Sequence, residues 1–241
     1  MILIQYFINI IYYLIFGLLL VVFHGLQWLS FNLLGYQAHK KSVDLFNWFL
    51  VSNLRLIGTR FHISGSRNFS DNKPHIIIAN HQSMYDIPPI IWYLRKLHPK
   101  FISKKELGKG IPAISYNLRH GGSVLIDRDD PEQAEHAIRQ MGKYIKEHNR
   151  AVVIFPEGTR SRNGKPKRFA KGGLRYLLEE CPEAVIIPVS IKNAWKLHEK
   201  GMFPLTIGVN YYMQIHQAFE ATHYDFDDLH NQIEKQIHES C

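Results

Sequence analysis

The chain has 241 residues, enough for one sizeable α/β domain with its own core. Its two cysteines, Cys181 and Cys241, the latter the last residue, exclude a disulfide framework and a Cys-based zinc site, and they fit a reducing compartment. A formal charge of +8 with a pI near 9.4 suits anionic partners: membrane lipid, a phosphorylated substrate, coenzyme A or an acidic carrier protein.

The first 38 residues contain no Lys, Arg, Asp or Glu. Residues 1–23 are long enough to cross a bilayer, which takes about 20 apolar residues. A signal peptide is disfavoured by the missing basic start and cleavage site; a buried soluble helix is the alternative. Residues 24–36 are also apolar, with Gly25 and Gly35 as candidate breaks. Residues 1–23 could therefore span once, or residues 1–36 could form a hairpin dipping into one leaflet. Lys40, Lys41, Arg55 and Arg60 come next, and basic residues flanking an apolar segment place the downstream domain on the cytoplasmic face of the membrane. The predicted organisation is a hydrophobic membrane-anchoring segment over 1–38, an amphipathic connecting helix over 39–60 and a catalytic domain over 61–241.

Phe46, Phe49, Leu50, Leu54 and Ile57 recur at helical spacing, which predicts a helix over 43–57. Strands are predicted near 61–64, 75–80, 100–103, 123–126, 151–155, 184–191 and 205–215. Asp130 as N-cap and Pro131 at the first helical position open a helix running to about Glu147. Further helices begin near Gly172 and along Phe226, Leu229, Ile233 and Ile237. The alternation predicts an α/β fold: a mixed, largely parallel sheet covered by helices, with the N-terminal hydrophobic helical membrane segment attached.

A His five residues ahead of an Asp occurs three times, at His39/Asp44, His81/Asp86 and His223/Asp228, so spacing alone selects nothing. Context does. His81 follows the apolar run Ile76-Ile77-Ile78-Ala79, and Asp86 precedes Ile87-Pro88-Pro89, where proline suits a first helical turn. The stretch reads as strand, turn and helix start, and open α/β sheets bind ligands at the carboxyl ends of strands. Five helical positions put two side chains about 140° apart, so one of the pair must lie in the turn. A turn-held His81 could take a proton while Asp86 fixes its tautomer. The alternative is that His81 caps the helix and Asp86 is merely its first-turn acid.

Asn80 and Ser83 flank that histidine as candidate binding residues. Arg128 and Arg160 follow the runs Ser123–Ile126 and Ala151–Phe155, and two guanidiniums at strand ends suit a phosphate, which the planar fork binds bidentately. Gly158 and Thr159 would let the backbone approach a ligand. Glu157 belongs to the same turn; it could shape the pocket or simply pair with Arg160. The run of Lys and Arg over 160–175 reads either as a solvated loop or as an anion-attracting one. It is not a phosphate-binding P-loop, because Gly158 and Gly164 enclose five residues and Pro166 replaces the required hydroxyl.

Four stretches, Asn80–Asp86, Leu125–Arg128, Phe155–Ser161 and Val185–Val189, together resemble the glycerolipid acyltransferase family in order and spacing over roughly residues 60–215. Leu125 stands where that family often has Phe. The resemblance implies transfer of a fatty acyl group from acyl-coenzyme A or an acyl-acyl carrier protein to the sn-2 hydroxyl of lysophosphatidic acid (1-acylglycerol 3-phosphate), giving phosphatidic acid. It implies His81 and Asp86 as catalytic residues, Asn80, Ser83, Arg128, Glu157, Gly158, Thr159 and Arg160 around the acceptor, Pro188 on the acyl side, no metal and no cofactor. Glycerol 3-phosphate or another lysolipid is the alternative acceptor. A thioesterase would have no use for the two arginines, and a non-catalytic surface binder none for the His–Asp pair. Neither a recognition helix nor a stacking platform for bases is present, so no nucleic acid partner is expected.

Overall fold

A computed structural model describes residues 2–70 and 72–241. It opens with two long helices. The first, α1 (Ile2–Leu34), runs 33 residues without a break at Gly17 or Gly25. Only Gly35, at φ +80°, interrupts the chain, in a backbone region that L side chains rarely adopt. The second, α2 (Tyr36–Leu56), starts seven residues earlier than its apolar periodicity indicated. It returns antiparallel along α1: Phe31 meets His39, Phe23 packs on Phe46 with ring centroids 5.2 Å apart, and Asn53 donates to the Tyr12 carbonyl at 3.2 Å. The hairpin is thus made of α1 and α2 together, and not folded within residues 1–36. Leu3–Leu34 is long and apolar enough to cross a membrane.

The rest is a sheet with helices on both faces. Its strands are β1 (Arg60–Gly65), β2 (His75–Ala79), β3 (Lys100–Lys104), β4 (Val124–Ile126), β5 (Ala151–Ile154), β6 (Val185–Lys192), β7 (Asn210–Ile215) and β8 (Phe219–Glu220). The order is β1-β7-β6-β2-β5-β3-β4, with β8 also on β6. Among the described residues only the β6–β7 and β6–β8 pairings are antiparallel. The strand predicted over 205–215 begins only at Asn210, because Gly208 turns the chain at φ +74°.

The β2, β5 and β6 strands are apolar on both faces, as buried parallel strands must be. Ile77, Val153 and Ile187 pack on one side with Val43 of α2 and with Ile90, Ile91 and Leu94 from α3 (Ile87–Tyr93) and its end. Ile76, Ile78, Val152 and Ile186 face the other way. There they meet α5 (Pro131–His148), α6 (Gly172–Glu180) and α7 (Phe226–Glu239), the short α4 (Ile114–His120) having come before them in the chain. Asp130 caps α5 by accepting from the Gln133 N–H at 3.0 Å.

Pro188 lies inside β6, where a proline would normally cost a ladder bond. Its carbonyl accepts from His216, and β7 and β8 pair with β6 only on either side of it, at Val189–Lys192 and Val185–Ile186. The missing N–H therefore faces the gap between those two partners. Pro188 is buried in the sheet.

Candidate active site

The carboxyl ends of β2 and β5 emerge side by side, since the strands are parallel neighbours with Ile78 opposite Ile154. The turn after β2 carries His81 and the turn after β5 carries Phe155–Ser161. The two turns are bonded to each other. The His81 backbone N–H donates to Glu157 Oε1 at 3.0 Å, and the Ser161 N–H donates to the His81 carbonyl at 2.7 Å. The Phe155 ring stacks on the imidazole, centroids 4.2 Å apart.

His81 sits in the extended turn, and Asp86 ends the 3₁₀ turn Met84–Asp86 that leads into α3. The imidazole folds back so that Nδ1 lies 2.8 Å from Asp86 Oδ2. The same oxygen accepts from the backbone N–H groups of Gln82 (2.7 Å) and Ser83 (2.9 Å). Three donors on one oxygen of a fully buried side chain hold it in one place. An acceptor at that position puts the proton on Nδ1 and leaves Nε2 as the basic nitrogen. Ser83, and not His81, is the N-cap of this turn; Asp86 closes a capping box with Ser83 and also holds the imidazole through Nδ1.

The other two His–Asp spacings form no such pair. Asp44 binds Lys40 at 2.5 Å, while His39 packs between Phe31 and Tyr116. His223 lies in a turn before α7 and Asp228 lies inside α7, with no ion pair between them among the described residues.

The structure sorts the remaining predicted residues. Asn80 is buried, and its amide bonds Ile191 on β6 through both polar atoms: Nδ2 donates to the Ile191 carbonyl at 2.8 Å, and Oδ1 accepts its N–H at 2.7 Å. Ser83 is buried too, its hydroxyl accepting from the Tyr85 N–H at 3.2 Å. Both side chains thus make bonds within the protein, Asn80 to β6 and Ser83 within its own turn. Glu157 does not pair with Arg160; it holds the His81 backbone, and burial pushes its carboxyl above the usual range despite that hydrogen bond. Gly158 takes φ +69°, Thr159 Oγ1 accepts from Lys167 Nζ at 2.8 Å, and the Arg160 carbonyl accepts from the same ammonium at 3.1 Å. Arg160 is exposed beside the dyad's turn. Arg128 is also exposed, but it follows β4, three strands from β2. At about 4.8 Å per strand that is roughly 14 Å away.

Three neighbours had no signal in the sequence because their partners are distant in the chain. Gln82 accepts from the Ala194 N–H at 3.0 Å. Tyr85 stacks on His198, centroids 5.3 Å apart and nearly parallel. Burial lowers the His198 pKa, and the positive charge of nearby Arg160 lowers it further. Among the described residues no group of three or more His, Cys, Asp or Glu stands close enough to hold a metal ion.

Comparison with known proteins bears on this constellation. The profile of the family described as Acyltransferase matches residues 60–192. A 1-acyl-sn-glycerol-3-phosphate acyltransferase of Cocos nucifera is 32% identical over 166 residues, 66% of this chain and 51% of the relative. One of Helicobacter pylori is 35% identical over 53% of this chain and 52% of its own length. One of Borreliella burgdorferi is 28% identical over 77% and 73%. The chain spans about half the length of the first two of these relatives. The crystal structure of the 1-acyl-sn-glycerophosphate acyltransferase PlsC of Thermotoga maritima superposes with a TM-score of 0.82 at 25% identity, covering 100% of this chain and 96% of that one.

Proposed function

This chain belongs to the acyltransferase family, and from that premise we propose that it transfers a fatty acyl group from an acyl thioester to the sn-2 hydroxyl of 1-acylglycerol 3-phosphate, giving phosphatidic acid. The single observation that carries the reading is the 2.8 Å contact between His81 Nδ1 and the buried, triply bonded Asp86 Oδ2. Nε2 of His81 takes the hydroxyl proton as the alcohol oxygen attacks the thioester carbonyl. The C–S bond then breaks, and the thiolate recovers the proton from His81. Asp86 stabilises the imidazolium that exists between those two transfers. General-base help of this kind is worth about 10² to 10⁴ in rate.

Arg160 is assigned to the acceptor phosphate, with Arg128, after the outermost strand β4, in an assisting part. A fixed phosphate positions the hydroxyl, so orientation supplies much of the remaining acceleration. A thioesterase would gain nothing from such a clamp. Relatives named for the same acceptor support this choice of substrate. The donor rides on coenzyme A or on acyl carrier protein.

The same reading puts the protein on the cytoplasmic face of a membrane. One face of α1 is apolar and exposed along its length, from Leu3 and Phe7 through Leu14 and Leu18 to Leu33. The opposite face touches the catalytic domain from end to end: Asn9 at Leu205, Tyr12 at Tyr85, His24 at Ala113 and Asn32 at Tyr116. A 33-residue helix is about 50 Å long. Upright insertion would drag those domain contacts into the bilayer, so α1 lies along the interface with its apolar face in one leaflet.

The test is purified protein given a labelled acyl thioester, on each carrier in turn, with a panel of lysolipids and glycerol 3-phosphate. Phosphatidic acid from lysophosphatidic acid is the expected product. Free fatty acid alone would refute the assignment.

A further inference from the structure

The loop between residues 199 and 209 joins the His198 turn to β7 and carries three apolar side chains in solvent: Met202, Phe203 and Ile207. It rests on the first half of α1, with Phe203 against both Tyr6 and Tyr13. What distinguishes it is that side chains of α1 bond its backbone at Met202 and Leu205. Gln5, Asn9 and Tyr13 are polar residues in an uncharged helix, spaced four apart on one face. All three bond this loop. Gln5 and Asn9 donate to the Leu205 carbonyl at 3.2 and 3.1 Å, and Asn9 Oδ1 accepts the Leu205 N–H at 2.8 Å. Tyr13 donates to the Met202 carbonyl. The Gly201, Thr206 and Gly208 N–H groups go to the carbonyls of His198, Leu197 and Ile57, and Pro204 has none to satisfy.

Hydrocarbon tolerates irregular backbone only where protein satisfies its polar groups. A surface loop in water has no need of three helix side chains for that purpose. The outward side chains Met202, Phe203 and Ile207 are apolar, and Phe203 meets Tyr6, itself exposed on α1. Lys196, in the turn before the loop, and Lys200 within it supply positive charge that would attract anionic headgroups.

We propose that residues 201–208 form a second membrane-inserting element, seated in the same phospholipid leaflet as the apolar face of α1. The inference rests on the interfacial placement of α1 in the proposed function. Since the loop leaves directly from His198, which stacks on Tyr85 next to Asp86, it opens the site towards the leaflet that holds the lysolipid.

Depth-dependent quenching tests this in the full chain with Cys241→Ser, leaving Cys181 fully buried. A single cysteine carrying an environment-sensitive fluorophore is placed by Phe203→Cys or, as a second variant, Ile207→Cys. Leu14→Cys reports on α1 and Lys165→Cys on the aqueous side. The probe vesicles are phosphatidylethanolamine and phosphatidylglycerol with doxyl-labelled acyl chains. Labels at 203, 207 and 14 should shift to the blue and be quenched at depths of about 5–10 Å, as for interfacial helices, while 165 stays aqueous. Insertion at 14 with 203 and 207 left aqueous would overturn the loop alone. No insertion at any of them would overturn both the loop and the interfacial placement of α1.

Discussion

The backbone N–H of His81 donates to Oε1 of Glu157 at 3.0 Å across 76 positions of chain. The contact pins the β2 turn to the β5 turn, and we propose that Glu157 acts through it as a positioning residue for the imidazole. Glu157→Gln keeps an acceptor at that point and should retain most activity. Glu157→Ala leaves a buried N–H unpaired, at about 1–3 kcal/mol, and should lower kcat and melting temperature together. Steady-state kinetics on both variants checks this. If Gln fell as far as Ala, the charge and not the hydrogen bond would be the working feature.

Asn80 bridges β2 and β6 through both amide atoms. Asn80→Ala should therefore cost stability, about 1–3 kcal/mol from the unpaired backbone groups of Ile191, and leave the KM for lysolipid near wild type in the folded fraction. Urea unfolding and initial rates separate the two effects. A raised KM with unchanged stability would place Asn80 against the substrate.

Arg160→Ala should weaken use of the phosphorylated acceptor while the apparent affinity for donor changes little. A charge-assisted hydrogen bond is worth about 1.5–3 kcal/mol, roughly tenfold to a hundredfold. Arg160→Lys should recover only part, because an ammonium lacks the planar fork. Initial rates with each substrate varied in turn decide it, and a defect confined to the donor would move Arg160 to the other substrate.

Stability should fall in acid for reasons outside the active site. Burial, first, and then neighbouring positive charge push His39 down to about 4; burial likewise pushes His75 down to about 4. In the unfolded chain both titrate near 6.5. Between those values the unfolded state binds more protons, so stability is full above about pH 6.5 and is lost as the pH falls towards 4. Melting temperature against pH should show that slope, and His39→Gln should flatten it without reducing activity at neutral pH. A slope unchanged by the substitution would remove His39 as a cause.

Much of this architecture was legible in the chain because local signals and tertiary structure agree. Ile76–Ala79 and Ala151–Ile154 are apolar on every residue, and only a strand buried on both faces needs that. Asp130-Pro131 begins a helix by local chemistry alone. Legibility stopped where a side chain's role depends on a partner far away in sequence. The polar stretch Asn80–Ser83 looks like a ligand-binding turn, yet Ile191, Ala194 and the local backbone take up Asn80, Gln82 and Ser83. Gly25 looks like a break, but α1 passes through it without interruption. Gln5, Asn9 and Tyr13 carried no local signal, since their partners are about 190 residues or more away.

The central claim is that His81, oriented by Asp86, activates the acceptor hydroxyl. Its most direct test is a single-turnover reaction of acyl thioester with lysophosphatidic acid on membrane-bound enzyme, comparing wild type, His81→Ala and Asp86→Asn with folding verified for each. Wild type should form phosphatidic acid with no acyl-enzyme intermediate. His81→Ala should be slower by about 10² to 10⁴, and Asp86→Asn should also be severely impaired, since an amide in place of the carboxylate disturbs the tautomer of His81. Phosphatidic acid formed at the wild-type rate by His81→Ala, or an acyl group trapped on Ser83 or Ser161, would contradict the account.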